Sequence, residues 1–168
     1  SDVDWKHEVG PLPSGFHLAP FPDPTRFAGS EAECLEASIQ ALRALVFRID
    51  PRPAAVIVEP VQGTAGNIVP PRGFLARAAE VAREAGALLI SDEMITGFGR
   101  TGLMFGSNSD GVVPDIMTLG KGMASGFPMS AVLSTDEIVA ARPFSLPSAS
   151  SSSYGDNPLA AAAGLTTI

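Results

Sequence analysis

The stretch AAVIVEPVQGTAGNIVPPRGFLARAAEVAREAGALLISDE, residues 54–93, decides the fold. It opens on a short apolar run rich in β-branched residues, Ala54 to Glu59, closed by a proline and then a glycine. An uninterrupted run of this kind predicts a strand buried on both faces of a parallel sheet. After a loop, residues 73–84 carry Leu75, Ala79 and Ala82 at helical spacing and stop at Gly86, a residue suited to a left-handed helix end. Ala87 to Ser91 is a second buried run, and it ends in Asp92-Glu93. Strand, loop, helix and strand in that order make one β-loop-α-β unit.

The same alternation continues on either side. Upstream, Ser30 followed by Glu33 spells a capping box, and Leu35, Ile39, Leu42 and Val46 recur at helical spacing, predicting an amphipathic helix to about Arg48. Asp50-Pro51 breaks it. Residues 1–29 are dotted with proline and read as extended loop that wraps the domain, with a short strand near Gly15 to Ala19. Downstream, Asp115 to Leu119 predicts a third strand before Gly120-Lys121-Gly122, and Met129 to Ser134 a fourth. A short helix at Asp136 to Ala141, a serine-rich loop over 148–153 and a helix starting at Pro158 complete the chain. The expected class is α/β, a mostly parallel sheet flanked by helices.

Composition narrows the chemistry. The 168 residues are 45% hydrophobic and 17% charged, a globular balance, and the net charge is −7. An acidic chain has no basic surface to gather nucleic acid or anionic lipid, so small molecules are the expected partners. One cysteine, Cys34, cannot form an internal disulfide and fits a buried thiol in a reducing compartment, the cytoplasm. No apolar run approaches the ~18 residues that cross a bilayer. Ser1 at the start and an uncapped helix running to Ile168 read as a fragment of a longer protein.

In open parallel sheets, ligands gather beyond the carboxyl ends of the strands. Three polar positions lie there: Glu59, Asp92-Glu93 and Lys121. Two other readings fail on context. A P-loop needs G-x-x-x-x-G-K-[ST], whereas Asp115 stands at the first glycine position and Gly122 follows the lysine. Gly97, Gly99 and Gly102 spell G-x-G-x-x-G, but that dinucleotide fingerprint requires a strand immediately before and a helix immediately after. No metal site is read from the sequence.

The strings EPVQG at 59–63, GALLISDEMITGFGRTG at 86–102, GVVPDIMTLGKG at 111–122 and YGDNPLAAAAG at 154–164 resemble, in this order, the class III or ω-type aminotransferases. The spacing from Asp92 to Lys121, 29 positions, also resembles that family. The resemblance implies a fold type I enzyme using pyridoxal 5'-phosphate, with this chain a central part of its cofactor-binding large domain. The N-terminal segment and the C-terminal small domain would lie outside it. Lys121 is then the Schiff-base lysine that also shuttles the substrate Cα proton, a task for an amine rather than a permanently charged guanidinium. Asp92 would keep the pyridine nitrogen protonated, making the ring an electron sink. Gly120 and Gly122 beside the lysine would allow close backbone approach and unusual dihedrals.

Further cofactor-binding positions follow from the same resemblance. Glu59 falls at the active-site edge, where it can pair with an arginine. Met94 stands where the family commonly has a valine on the ring face, and Ile95 where many members have a glutamine near the phenolic oxygen. Ser153, before Tyr154, resembles a hydroxyl residue that reaches the neighbouring subunit's cofactor phosphate. The implied reaction is ping-pong transfer of an amino group from an amine or amino acid to a keto acid or aldehyde, in a homodimer. An aminomutase of the glutamate-1-semialdehyde type, with which TAGNIVPP at 64–71 is compatible, and a catalytically silent fragment are the alternatives. The GFGRTG string favours the transferase.

Overall fold

A computed structural model describes residues 10, 13–149 and 151–168. A four-stranded sheet runs in chain order: β1 (Ala55–Val58), β2 (Leu88–Asp92), β3 (Ile116–Leu119) and β4 (Ala131–Ser134). The first three strands are parallel, and β4 lies antiparallel to β3. Among the described residues four α-helices accompany them: α1 (Glu31–Arg48), α2 (Phe74–Ala85), α3 (Asp136–Ala140) and α4 (Pro158–Thr167). Apart from shifts of one or two residues at the ends, these are the elements the sequence predicts. Residues 15–19 are the exception, since they form no strand, and Phe16 and Leu18 are exposed. Pro13, Pro20, Pro22 and Pro24 each lack the amide donor that a ladder requires. The segment instead lays Phe21 edge-on against Phe74, ring centroids 5.2 Å apart, and buries Pro22. The reading of residues 1–9, 11 and 12 as loop lies outside the described residues.

The core forms where α1 and α2 cover one face of β1 and β2. Ile39, Leu42 and Val46 meet Leu75, Ala78, Ala79 and Ala82 above Val56, Val58 and Leu89. Alanine at Ala78, Ala79 and Ala82 keeps the facing side of α2 small, so larger side chains interdigitate with it. Arg43 forks onto the Glu84 carboxylate, and Arg77 meets Glu36 at 3.1 Å, so two ion pairs tie the outer surfaces of α1 and α2 together. Cys34 is buried, and burial pushes its thiol pKa up. Among the described residues, no helix is long and apolar enough to cross a membrane.

Helix α2 begins after Gly73, which has no side chain with which to cap it. Asp110 does so from 37 residues away: its carboxylate accepts from the Gly73 amide at 3.1 Å and the Leu75 amide at 3.0 Å. Asp110 closes a 3-10 turn, Gly106–Asp110, so this bond also fixes the β2–β3 connection against α2. Replacing Asp110 with alanine should cost about 1–2 kcal/mol, the usual worth of a helix cap, read as a lowered thermal midpoint.

Three glutamates bonded within the helix layer have pKa values below the ordinary glutamate value. Arg77 lowers Glu36, Arg43 lowers Glu84, and the Ser30 amide lowers Glu33 in the capping box. A lowered folded pKa means stability present above the unfolded value and lost as pH falls through the folded one. Thermal midpoints should therefore drop as pH falls below the ordinary glutamate value of 4.5. The Glu84→Gln variant should show a shallower drop, modest because the pair is exposed.

Candidate active site

The three parallel strands end at one edge, and the polar positions predicted from the sequence collect there. Alternation along β2 turns Leu89 and Ser91 toward the helices and Asp92 to the other face. Asp92 lies opposite Thr118 of β3. One of its oxygens, Oδ1, accepts from Thr118 Oγ1 and from the Met94 amide, both at 3.1 Å. Among the described residues nothing donates to Oδ2, so a half-buried carboxylate is oriented by one oxygen and free to accept at the other.

Lys121 stands three residues beyond Thr118 on the neighbouring strand. Its backbone is left-handed, φ +45°, an arrangement that costs a side-chain-bearing residue roughly 1–2 kcal/mol. The lysine opens a 3-10 turn, Lys121–Ala124, held by the Met123 amide on the Gly120 carbonyl at 3.1 Å. Its side chain is exposed, and no ion pair engages it among the described residues.

The flanking glycines differ from the sequence expectation. Gly120 is extended, φ −179°, so no unusual dihedral requires it. Met94 packs close against it: a Cβ would lie 2.5 Å from Met94 Cε and 2.8 Å from Sδ, so a side chain there would have to displace the methionine tip. A Cβ on Gly122 would meet only Phe98 Cβ at 3.8 Å, an ordinary contact. The strained backbone belongs to the lysine itself.

Met94 thus packs on the residue before Lys121. Ile95 packs over the β1–α2 loop, where a Cβ on Gly63 would fall 1.9 Å from Ile95 Cδ1. Glu59, just past β1, turns back on the same loop and accepts from the Gly63 amide at 3.1 Å. Among the described residues it pairs with no arginine. Ser153 lies in an exposed turn, and no hydrogen bond ties it to the strand ends among the described residues. Asn157 caps α4 from just beyond that turn, and Pro158, where the sequence starts the helix, takes its first position.

The glycine-rich segment is no dinucleotide loop. Residues 94–105 stay in turns and bends, and only the short 3-10 turn follows. Gly99 and Gly102 take φ +85° and +88°, and a Cβ on Gly97 would lie 3.0 Å from the Glu93 carbonyl. Sequence reasoning missed Thr118, which orients Asp92, and the depth of Glu93, which is 0% exposed. Among the described residues, no cluster of three or more His, Cys, Asp or Glu could hold a metal ion.

The donor set fits a heteroaromatic aldehyde cofactor, with an amine on one strand end and a half-satisfied carboxylate on the next. Comparison with known proteins points the same way. The chain is 40% identical over 158 residues to the acetylornithine aminotransferase of Methanothermobacter thermautotrophicus, covering 94% of this chain and 35% of that protein. It is 37% identical over 169 residues to the ornithine aminotransferase of Bacillus subtilis, covering all of this chain and 37% of that one. The chain therefore spans little more than a third of the length of these relatives. Among solved structures, a thermostable (S)-enantioselective omega-transaminase from Thermomicrobium roseum superposes with a TM-score of 0.89 at 37% identity, over 99% of this chain and 38% of that one. An amine transaminase from an uncultivated Pseudomonas species, solved with PLP bound, gives 0.90 at 35% identity, over 99% and 39%. The model of the aminotransferase class-III family matches residues 1–168, and the chain belongs to that family.

Proposed function

We propose that this chain is the central part of the pyridoxal-phosphate-binding large domain of an aminotransferase, with Lys121 as the cofactor lysine and Asp92 as the carboxylate beneath the ring nitrogen. When bound, pyridoxal phosphate supplies an aldehyde for the amine and a protonated ring that withdraws electrons from the substrate Cα. Lys121 then carries the Cα proton, which requires an amine able to be neutral. Asp92, held still at Oδ1 by Thr118 and Met94, would offer its other oxygen to the ring nitrogen. The observation that carries this reading is the open Asp92 oxygen at the edge where Lys121 emerges. Lys6 and Lys121 are the only lysines in the 168 residues, which supports the choice.

Met94 and Ile95 supply apolar contact to the ring and its edge. Glu59 orients polar groups at the far side, and Ser153 serves the phosphate of a second subunit in a homodimer. The small-molecule substrates are an amine or amino acid as donor and a keto acid or aldehyde as acceptor. The relatives' names, ornithine and acetylornithine aminotransferase among them, favour transfer between two molecules over a mutase. A lone buried thiol fits a cytoplasmic setting.

The test uses the protein expressed from its full reading frame. Adding pyridoxal phosphate should give a visible absorbance band that the Lys121→Ala variant lacks. Asp92→Asn should keep the band and lose roughly 10²–10³-fold in kcat with an amine donor and a keto-acid acceptor. An unimpaired Asp92→Asn enzyme would contradict the role given to that carboxylate.

A further inference from the structure

Glu93 is fully buried beside Asp92, and nothing in the reaction above uses it. Its carboxylate has no cationic partner among the described residues. Four donors surround it instead, two on each oxygen. Oε1 accepts from Ser91 Oγ at 3.1 Å and from the Ser107 amide at 2.8 Å. Oε2 accepts from Thr96 Oγ1 and from the Gly106 amide at 2.8 Å. A buried carboxyl group is tolerated only when its oxygens are satisfied this completely, so the arrangement constrains every group that donates to it.

Three of those donors, all but Ser91, come from the two ends of one segment. Thr96 precedes the glycine-rich stretch 97–105, and Gly106 and Ser107 follow it. Ser107 is held through its amide, since its buried Oγ has no hydrogen-bond partner among the described residues. Gly106 is wedged where a Cβ would lie 2.8 Å from both Pro60 and Thr96, which ties the end of β1 into the same knot. The segment so clamped carries Phe98, which stacks edge-on with Phe105 at 5.9 Å and lies against Gly122, next to Lys121. On the near side, the Glu93 amide donates to the Thr118 carbonyl at 3.0 Å, and its carbonyl accepts from the Gly97 amide at 2.9 Å, closing the turn that presents Met94 and Ile95.

We infer that Glu93 is a positioning residue: it fixes the turn after Asp92 and the 97–105 segment against the Lys121 turn, and so sets how the cofactor is gripped. This rests on the functional reading above. Glutamine at 93 would turn one acceptor oxygen into a donor facing a backbone amide that cannot reverse its role, whereas a hydroxyl can. The clamp would open on that side.

The experiment compares Glu93→Gln with the parent in the protein expressed from its full reading frame. Amide hydrogen exchange over residues 97–107 is measured without cofactor, and the visible band with pyridoxal phosphate is titrated against cofactor and against pH. Where circular dichroism shows the fold intact, exchange over 97–107 should rise about tenfold or more, and half-saturation by cofactor should need about tenfold more. The pH at which the band changes should also shift, a response that loss of stability alone would not produce. Unchanged exchange, or a band with the parent's affinity and pH dependence, overturns the proposal. Should Glu93→Gln fail to fold, Thr96→Val removes one of the four bonds and should give the same changes at smaller size; parent-like behaviour there overturns the proposal equally. A parent protein that gives no band at all sinks the functional reading instead, while the exchange comparison still decides whether Glu93 clamps the segment.

Discussion

The parallel pairing of β2 with β3 places Asp92 opposite Thr118, and the arrangement of the edge follows from that register. A slip of one residue would turn Asp92 toward the helix layer and bring Glu93 to the open face, because side chains alternate along a strand. The register is held from both ends. At the start of β2, Asp115 accepts from the Leu89 amide at 2.7 Å. At its end, Thr118 reaches Asp92 through its hydroxyl, and the Glu93 amide continues the ladder to the Thr118 carbonyl. With β2 so fixed, one carboxylate is buried and structural while its neighbour is half open and available for chemistry. Two acidic residues side by side in sequence are thereby given opposite surroundings by the pleat.

The same edge concentrates conformational cost. Lys121 holds a left-handed backbone, and the tip of Met94 packs close on Gly120 beside it. Strain of this kind persists only where surrounding contacts over-determine it. Here the surroundings are the extended Gly120, the 3-10 turn that follows the lysine, and α4, whose Gly164 leaves room for the Met129 thioether beside that turn. The helix layer on the opposite face supplies the rigid support. Its alanine-rich contact lets α1 and α2 sit close over β1 and β2, so the strand ends project from a packed body rather than from a loop.

Much of this was legible in the residues, and the reasons are local. Strand and helix periods, the Ser30 capping box, the Gly86 stop and the Pro158 start are short-range signals, and each appears in its expected place. The places of Asp92 and Lys121 at the strand ends were legible because buried runs end there. The four bonds to Glu93 were not, because two donors are backbone amides thirteen and fourteen residues on, which leave no side-chain pattern. Asp110 capping α2 across 37 residues was hidden for the same reason. The strand expected at Gly15 to Ala19 failed because prolines crowd it, and the glycine argument failed at Gly122 because the left-handed residue is the lysine. Alternation indicates a parallel sheet, whereas the reversal of β4 depends on tertiary pairing.

The central claim is that the amine at the end of β3 is the one that grips the cofactor. Borohydride reduction of the protein with pyridoxal phosphate, followed by peptide mass analysis, tests it most directly, since Lys6 is the only other lysine in the chain. The account predicts that the added mass lies on the peptide containing Lys121. A cofactor mass on Lys6, or on a residue outside this chain with Lys121 unmodified, would contradict it.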